Sequence, residues 1–366
     1  MSPHRQGSID RQGERGAAPR RAPGRPKPGG HPLGGSIARE GERGAALLLA
    51  MLIVTLVATM AAAMVWQQWR GIEVEGAERA RAQAAWLIEG ATDWARLILR
   101  TDAQDKERPG VDSLNEPWNT PLKEVKLSDF LAADKNNTED TGLEAFLSGQ
   151  ITDAQARYNL VNLINDEEEA ALKELATLRR LCDALGLSAE TAVRIAEGMK
   201  GASLAEEQLS DEERVAPGAP LPPQRVAQLA WFGLDAEAVR RLEPYVTILP
   251  APTPVNLLTA PPEVLSAVLE GLDRGSAERF AQRRVTLDVR AIADVETLLP
   301  ERVHAQLDDT NRVGIRSEYF EILGELRYQN YLLRELTLVR RQNLEVVVLR
   351  RQRLPHESQS PPTGVP

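Results

Sequence analysis

The sequence predicts an α+β protein in which a long N-terminal helix packs on a small antiparallel sheet, with a large all-α insertion between the strands. Three patterns predict this architecture. An uncharged apolar run begins directly after Gly44, and a helical apolar pattern continues from it to about Arg100. Near the C-terminus the apolar period falls from about 3.6 residues to about 2, which is the period of a strand.

Residues 1–44 form the first segment, which is rich in glycine, proline and arginine and has almost no large apolar residues. Such a composition buries too little surface to offset the entropy of ordering, so we predict a disordered basic leader. Two interpretations of its length stay open: a genuine leader, or a start codon assigned upstream of a true start near Ile37. Because the leader is basic and the formal net charge is −9, the remainder is acidic. That balance argues against nucleic acid as the main partner.

The apolar run at residues 45–66 predicts a transmembrane helix. Roughly 20 apolar residues cross the ~30 Å hydrocarbon core of a bilayer, and a single span satisfies its backbone only as a helix. A cleaved secretory signal and a plain signal anchor are the alternatives. A secretory signal has a shorter apolar core, and it is not followed in phase by an amphipathic helix.

Residues 67–100 predict the second, amphipathic half of the same helix. Apolar residues recur there at spacings of three and four, while charged residues occupy other faces. The predicted apolar stripe comprises Ala77, Ala80, Ala84, Leu87 or Ile88, Ala91, Trp94 or Ala95, and Ile98. Gly71 and Gly76 weaken the helix by roughly 1 kcal/mol each relative to alanine, but neither is expected to end it. We expect the stripe to pack on the sheet and on partner proteins.

The remaining chain divides into segments by pattern and composition. The predicted segments are the first part of the sheet domain (101–164), the inserted helical block (165–310), C-terminal strands (311–353) and a disordered polar tail (354–366). The block divides into two helical modules, at about 165–250 and 251–310. Residues 101–150 are predicted to be loop-rich, and a polar, proline-rich linker is predicted at 201–224. In the second module, Thr259 is the expected helix N-cap, with proline in the first turn.

The sequence predicts no catalytic centre. It contains no nucleophile elbow, P-loop, HExxH motif or dinucleotide-binding glycine loop, so we do not expect an enzyme. The single cysteine, Cys182, lies in a helical apolar pattern and is expected to be a buried side chain rather than a reactive thiol. Oxygen ligands suit calcium, and the candidates are Asp308, Asp309 and the acidic cluster at 134–140. Neither cluster fits an EF-hand, and surface acid pairs are usually solvated.

Four motifs, in a fixed order, carry a resemblance to a known family. They are Glu42-Arg43-Gly44 before Ala45–Leu49, Ile151–Asp153 before Tyr158–Leu163, Tyr245–Pro250 before Val255–Pro261, and Ile315–Phe320. The first resembles the type IV prepilin signal, in which a membrane aspartyl peptidase cuts after the glycine. The ordered set, over about residues 40–350, resembles the protein K family of type II secretion systems, the large minor pseudopilins.

The resemblance implies a type IV pilin-like fold whose insertion is built of SAM-like, helix-hairpin-helix-like modules. It implies that prepilin peptidase cuts between Gly44 and Ala45 and that the new N-terminus is methylated. Most pilin-like subunits carry a glutamate at the fifth mature position, which is Leu49 here. That glutamate is thought to pair with the N-terminal ammonium of a neighbour, because an unpaired charge in an apolar fibre core is costly. A subunit without it has nothing with which to hold a neighbour above it, which implies a place at the tip.

The resemblance also implies a role and partners. The role is to cap the periplasmic pseudopilus of a Gram-negative bacterium and to help initiate its assembly, so that folded proteins cross the outer membrane. The implied partners are minor pseudopilins of the I, J and H types, the major pseudopilin, the inner-membrane assembly platform and prepilin peptidase. Secreted cargo and the outer-membrane secretin are further candidates, and calcium is the implied cofactor. Before assembly the chain is expected in the inner membrane, with its C-terminal domain in the periplasm.

A second resemblance provides the alternative. Residues 255–284 are similar to the helix-hairpin-helix of DNA-binding competence proteins, whose glycine-rich hairpin presents backbone amides to phosphates. The hairpin here, Glu270–Gly275, carries two acidic residues where phosphate would approach. We therefore favour a protein-interaction module and expect no nucleic acid partner. A membrane-anchored DNA-uptake protein stays the alternative function.

Overall fold

The computed structural model describes residues 38–106, 108–127, 145–165, 167–210, 221–328 and 331–355. The chain divides into two compact units, one ending at Glu73 and the other beginning at Val74. Most of the predicted leader (1–37), the acidic cluster at 134–140 and most of the tail (356–366) lie outside the described residues.

A single helix, α1, runs from Ala38 to Asp102. The predicted disordered leader therefore ends earlier than Gly44, because extension of an existing helix is cheap and one glycine costs it only roughly 1 kcal/mol. Gly71 and Gly76 lie inside α1 without ending it, as predicted.

The second half of α1 buries one stripe, which largely confirms the predicted one. Its buried apolar residues are Ala80, Ala84, Ile88, Ala95 and Leu99. Of the two alternatives Trp94 and Ala95, Ala95 faces the core. One position differs from the prediction, because Leu99 rather than Ile98 is the fully buried residue at the end of the stripe.

The strands are β1 (Leu122–Lys126), β2 (Ala145–Asp153), β3 (Tyr158–Asn159), β4 (Val246–Thr247), β5 (Val255–Asn256), β6 (Val313–Gly314), β7 (Tyr319–Tyr328), β8 (Tyr331–Gln342) and β9 (Glu345–Leu354). Five of them form an antiparallel sheet in the order β1-β2-β7-β8-β9. Two hydrophobic clusters lie between α1 and this sheet, one around Ile88 and one around Leu99. The predicted C-terminal strands are thus confirmed.

The prediction of a loop-rich segment at 101–150 was wrong for β1 and for the start of β2. Ser148-Gly149-Gln150 resembles a turn in the sequence, yet it lies within β2. Gly149 pairs with Gly324 of β7, and a Cβ at Gly149 would lie 2.9 Å from the carbonyl oxygen of Leu323. The glycine therefore serves a close approach between two strands rather than a turn.

The helical block lies in the chain between β2 and β7. Its α-helices are α2 (Glu168–Ala184), α3 (Ala189–Ser210), α4 (Ala236–Leu242), α5 (Pro262–Val268), α6 (Arg274–Arg283) and α7 (Ile292–Glu296). Helix α3 extends through residues 201–210, so the predicted linker begins too early. That stretch is rich in alanine, glutamate and leucine, all strong helix formers. The 3₁₀ helix Val226–Phe232 ends at Gly233, whose φ of +79° is left-handed.

One hydrophobic cluster runs through the whole block. It includes Leu178 and Ile195 from the first predicted module and Leu265 and Phe280 from the second. The two predicted modules therefore share a core, and their SAM-like character stays a prediction. A small separate cluster, around Leu249 and Leu338, packs the block against the outer face of the sheet.

Candidate functional site

The N-terminal half of α1 is long and apolar enough to cross a membrane, by its length and composition. Its apolar side chains between Leu47 and Trp66 are exposed. The predicted processing residues Gly44 and Ala45 lie within α1 and are exposed, and so is Leu49. An apolar helical surface of this kind is stable only when lipid or other protein covers it.

A second apolar stripe lies on α1 away from the sheet. It comprises Trp86, Gly90 and Leu97, with Trp94 at its edge, where that side chain also lines the space between α1 and the sheet. Trp86 is 73% exposed, Leu97 is 55% exposed, and a Cβ at Gly90 would meet nothing within 4 Å. Exposed tryptophan side chains beside a glycine are typical of a surface where another helix approaches closely. The sequence pattern did not predict this stripe, because Trp94 also fits the spacing of the buried one.

Three of the predicted motifs meet at one buried polar cluster. The amide Nδ2 of Asn256 donates to Asp153 Oδ2 at 3.0 Å, to Ser317 Oγ at 2.9 Å and to the carbonyl of Asp112 at 2.9 Å. The hydroxyls of Ser317 and Thr259 donate to the same oxygen of Asp153, at 2.6 and 2.5 Å. These bonds join the end of β2, the start of the second module and the start of β7.

This cluster corrects the prediction for Thr259. Its hydroxyl is used by Asp153, and Pro261 occupies the N-cap position of α5. Burial raises the pKa of Asp153 from 3.8 to about 6, while the hydrogen bonds from Ser317 and Thr259 oppose that rise. The motif around Asp153 is therefore a structural junction between the sheet and the helical block.

Two asparagines of the second motif hold the proline-containing segment that precedes β5. Asn159 accepts the amide of Leu249 at 3.2 Å and donates to the carbonyl of Ala251 at 2.8 Å. Asn162 makes a paired contact with Thr253, accepting its amide at 3.0 Å and donating to its carbonyl at 2.9 Å. Prolines 250, 252 and 254 supply no amide hydrogen, so these side chains provide hydrogen bonds that a regular strand would form.

An acidic group at the end of α1 is the best arranged set of metal-type ligands in the described part of the chain. Oxygens of Asp102, Asp112 and Glu116 lie within 4.8 Å of one another. Arg341 already supplies the balancing charge, because Nη1 donates to Asp102 at 2.8 Å and Nη2 donates to Asp112. Burial raises the pKa of Glu116 from 4.5 to about 7, and the neighbouring Asp102 adds to the rise. The guanidinium therefore occupies the role that a cation would have.

The predicted calcium candidates are elsewhere. Asp308 and Asp309 are exposed, and within the described residues neither belongs to a group of three acidic side chains close enough to hold one ion. Calcium binding at Asp308 and Asp309 therefore stays a prediction. Cys182 is fully buried, and burial raises its pKa to about 11, as expected for an inert thiol.

In the helix hairpin at Gly271, a carboxylate of the chain itself caps the helix that follows. Asp273 caps α6 by accepting the amide of Ser276 at 2.9 Å. Arg302 donates to the carbonyl of Gly271 at 2.7 Å and to Asp273 at 2.8 Å. A carboxylate of the chain itself thus occupies the position where an anion would bind, which argues against the DNA-binding alternative.

Comparison with known proteins agrees with the motif order. The family described as "Type II secretion system (T2SS), protein K" matches residues 156–251, which include the Asn159 motif and the segment before Pro250. Type II secretion system protein K of Pseudomonas aeruginosa is 26% identical over 296 residues, covering 77% of this chain and 83% of its own. The chain is similar to the protein K family of type II secretion systems.

A second protein K, from Pectobacterium carotovorum subsp. carotovorum, is 27% identical over 334 residues, or 84% of this chain and 95% of its own. The fold is similar to a chain of the crystal structure of the GspK-GspI-GspJ complex from enterotoxigenic Escherichia coli. The TM-score is 0.55 at 18% identity, over 76% of this chain and 99% of that chain. The chain therefore combines the α+β fold with a helix that is apolar enough, by length and composition, to cross a membrane.

Proposed function

We propose that the chain is a minor pseudopilin that caps the tip of the periplasmic pseudopilus and helps initiate its assembly. The observation that carries this proposal is the exposed stripe of Trp86, Gly90, Trp94 and Leu97 on α1. One face of this helix is buried on its own sheet, so the opposite apolar face is available to another subunit. The same helix carries the apolar run that begins at Ala45.

The partners that we propose for this face are pseudopilins of the I and J types. The support is the similarity in fold to a chain of the GspK-GspI-GspJ complex. The H-type and major pseudopilins would lie below them, with the assembly platform in the inner membrane and the sheet domain in the periplasm. We propose that the helical block widens the tip, where it faces secreted cargo or the secretin. The proposed role is assembly rather than catalysis.

The N-terminal chemistry of the proposal concerns Gly44, Ala45 and Leu49. Prepilin peptidase would cut after Gly44, and the amine of Ala45 would be methylated. A cut there keeps the apolar run as the mature N-terminus, whereas a secretory cut would remove it. With Leu49 at the fifth mature position, this subunit has no carboxylate to pair with the ammonium of a subunit above it. This supports a position at the tip of the pseudopilus.

Mass spectrometry of the mature chain tests this processing. Expressed with an active prepilin peptidase, the chain should begin at methylated Ala45. In a host without the peptidase, the longer precursor should accumulate. A mature N-terminus at any other residue, with the peptidase active, would refute a pilin-type subunit.

Co-purification tests the assembly role. The full chain, extracted in detergent with tagged I-type and J-type partners, should elute with both as one complex. Trp86→Glu should abolish that complex, because a buried charge at an apolar contact is costly. Leu172→Glu, on an exposed position of α2, is the matched control and should leave the complex intact. Salt-sensitive DNA binding without capture of pseudopilins would instead favour the DNA-uptake alternative.

A further inference from the structure

A groove of about 540 Å³ lies between the helical block and the outer face of the sheet. Its walls include Met199 of α3 and four prolines, namely Pro222, Pro223, Pro250 and Pro252. Its volume lies in the range of natural ligand sites. The walls mix apolar side chains with polar ones, namely Ser203, Gln224 and Arg350, while the prolines supply no amide hydrogen.

The sheet side of this groove is formed at a β-bulge. Leu338 pairs with Arg350 and Val339 pairs with Val348, so Leu349 is an extra residue in β9. In a regular strand, successive side chains point to opposite faces. Here both Leu349 and Arg350 line the groove. The bulge thus directs the apolar side chain of Leu349 and the cationic side chain of Arg350 into the groove. Bulges often re-aim side chains in this way beside binding sites.

The positive charge beside the groove exceeds the negative charge. Arg350 donates to the backbone carbonyl of Gln224, a neutral acceptor. Glu321 is the one carboxylate among the described residues that acts on Arg350, and it already forms an ion pair with Arg157 at 2.6 Å. Arg225 adds a third positive charge nearby. Three guanidinium groups of the described chain therefore share one carboxylate.

We propose that this groove binds an extended segment of a partner protein in which a carboxylate lies beside apolar residues. The carboxylate would pair with Arg350, since a half-buried guanidinium gains most from a charge-assisted, bidentate acceptor. The apolar neighbours would cover Leu349 and the proline walls. This inference does not depend on the α1 stripe, because the groove lies on the opposite face of the sheet.

A peptide-display experiment tests the proposal with the full chain in detergent. Random octapeptides displayed on phage are selected on the wild-type chain and counter-selected on Arg350→Gln. The enriched peptides should combine aspartate or glutamate with adjacent apolar residues. A synthetic enriched peptide should bind Arg350→Gln about tenfold or more weakly. Arg353→Gln, an exposed position on the same strand, should change binding by less than about twofold.

Three results would overturn the proposal. The first is enrichment of peptides that lack a carboxylate, and the second is equally tight binding of the peptides to Arg350→Gln and to the wild type. The third result is selection of peptides only after Asp211, Glu212 and Glu213 are changed to Asn, Gln and Gln. The occupant would then be an acidic segment of this chain rather than a partner. Equal thermal unfolding midpoints of Arg350→Gln and the wild type show that any loss of binding is not loss of fold.

Discussion

Arg341 joins three distant parts of the chain at one buried point. It bonds to Asp102 at the end of α1, to Asp112 in the next loop and to the carbonyl of Ser317 before β7. Its side chain is only 5% exposed, so solvent screens these charges weakly. Removal of the guanidinium would leave two acidic groups close together without a counter-charge.

The change Arg341→Met is expected to lower the free energy of unfolding by about 3–5 kcal/mol at neutral pH. Chemical denaturation of the full chain measures it. The loss should be smaller at acidic pH, because protonated carboxyl groups need no counter-charge. Arg353→Met, on the exposed edge strand, is the control and should change the free energy by less than about 0.5 kcal/mol. Equal losses in the two variants would contradict this account.

Glu116 should make the folded state less stable as the pH rises from acidic to neutral. It is 4% exposed and accepts the indole N–H of Trp118 at 2.6 Å. Burial raises its pKa from 4.5 to about 7. Between these two values the folded state holds a proton that the unfolded state has lost. The contribution of Glu116 to the free energy of unfolding is therefore full below the lower value and falls as the pH rises to the upper one.

The variant Glu116→Gln should flatten that part of the pH profile. Its amide oxygen still accepts from Trp118, while no buried charge develops. Relative to the wild type, the variant should gain roughly 2 kcal/mol in unfolding free energy between pH 5 and pH 8. Urea unfolding at the two pH values measures the difference. A wild type and a variant with the same pH dependence would refute the assigned cause.

At the scale of elements, two glycines have different surroundings and should respond differently to substitution. Gly90, on the exposed stripe of α1, has open space around it, whereas Gly149 faces a backbone oxygen. Gly90→Leu should therefore keep the monomer folded but reduce capture of the I and J partners by about tenfold or more, because the larger side chain prevents close helix packing. Gly149→Ala should instead cost the monomer roughly 1–3 kcal/mol. Pull-down and thermal unfolding of both variants separate the two effects, and unchanged capture by Gly90→Leu would exclude the stripe as the contact.

The elements that the sequence predicts well are those with a strong period. Helix α1 and strands β7 to β9 belong here, since their apolar residues repeat over many positions. Strand β1 and the start of β2 were missed because β1 is short and largely exposed and β2 contains Ser148-Gly149-Gln150. In both, pairing with neighbouring strands outweighs the local propensity.

At the scale of the whole molecule, Asn256 connects the helical block to the sheet. Asn256→Ala removes the hydrogen bonds of Nδ2 and takes this donor from the buried carbonyl of Asp112, while Asp153 keeps the bonds from Ser317 and Thr259. We expect a loss of at least about 2 kcal/mol in the free energy of unfolding. Calorimetry should also show two transitions in place of one, since the block and the sheet have separate hydrophobic clusters. Asn165→Ala, which removes only a local bond to Glu167, is the control and should keep a single transition.

The location of this junction could be predicted only in part. The motifs that contain Asp153, Asn256 and Ser317 were recognised, but nothing in the sequence showed that they meet. The three residues are far apart in the chain, and each polar side chain would suit a turn or a cap equally well. Thr259 illustrates the ambiguity, since a hydroxyl before a proline is a good N-cap locally and a good donor to Asp153 in the fold.

The pairing of β2 with β7 affects how the chain can change during evolution. Asp153 at the end of β2 lies opposite Phe320 near the start of β7, so the block leaves and re-enters the sheet at neighbouring points. Topologically it is one very large loop, and each doubling of loop length costs only about 0.6 kcal/mol in closure entropy. Descendants of such a chain can enlarge, replace or lose the block without shifting the register of a single strand. The family match at residues 156–251 lies inside this loop, so insertions are expected at the exposed ends of its helices rather than in its shared core.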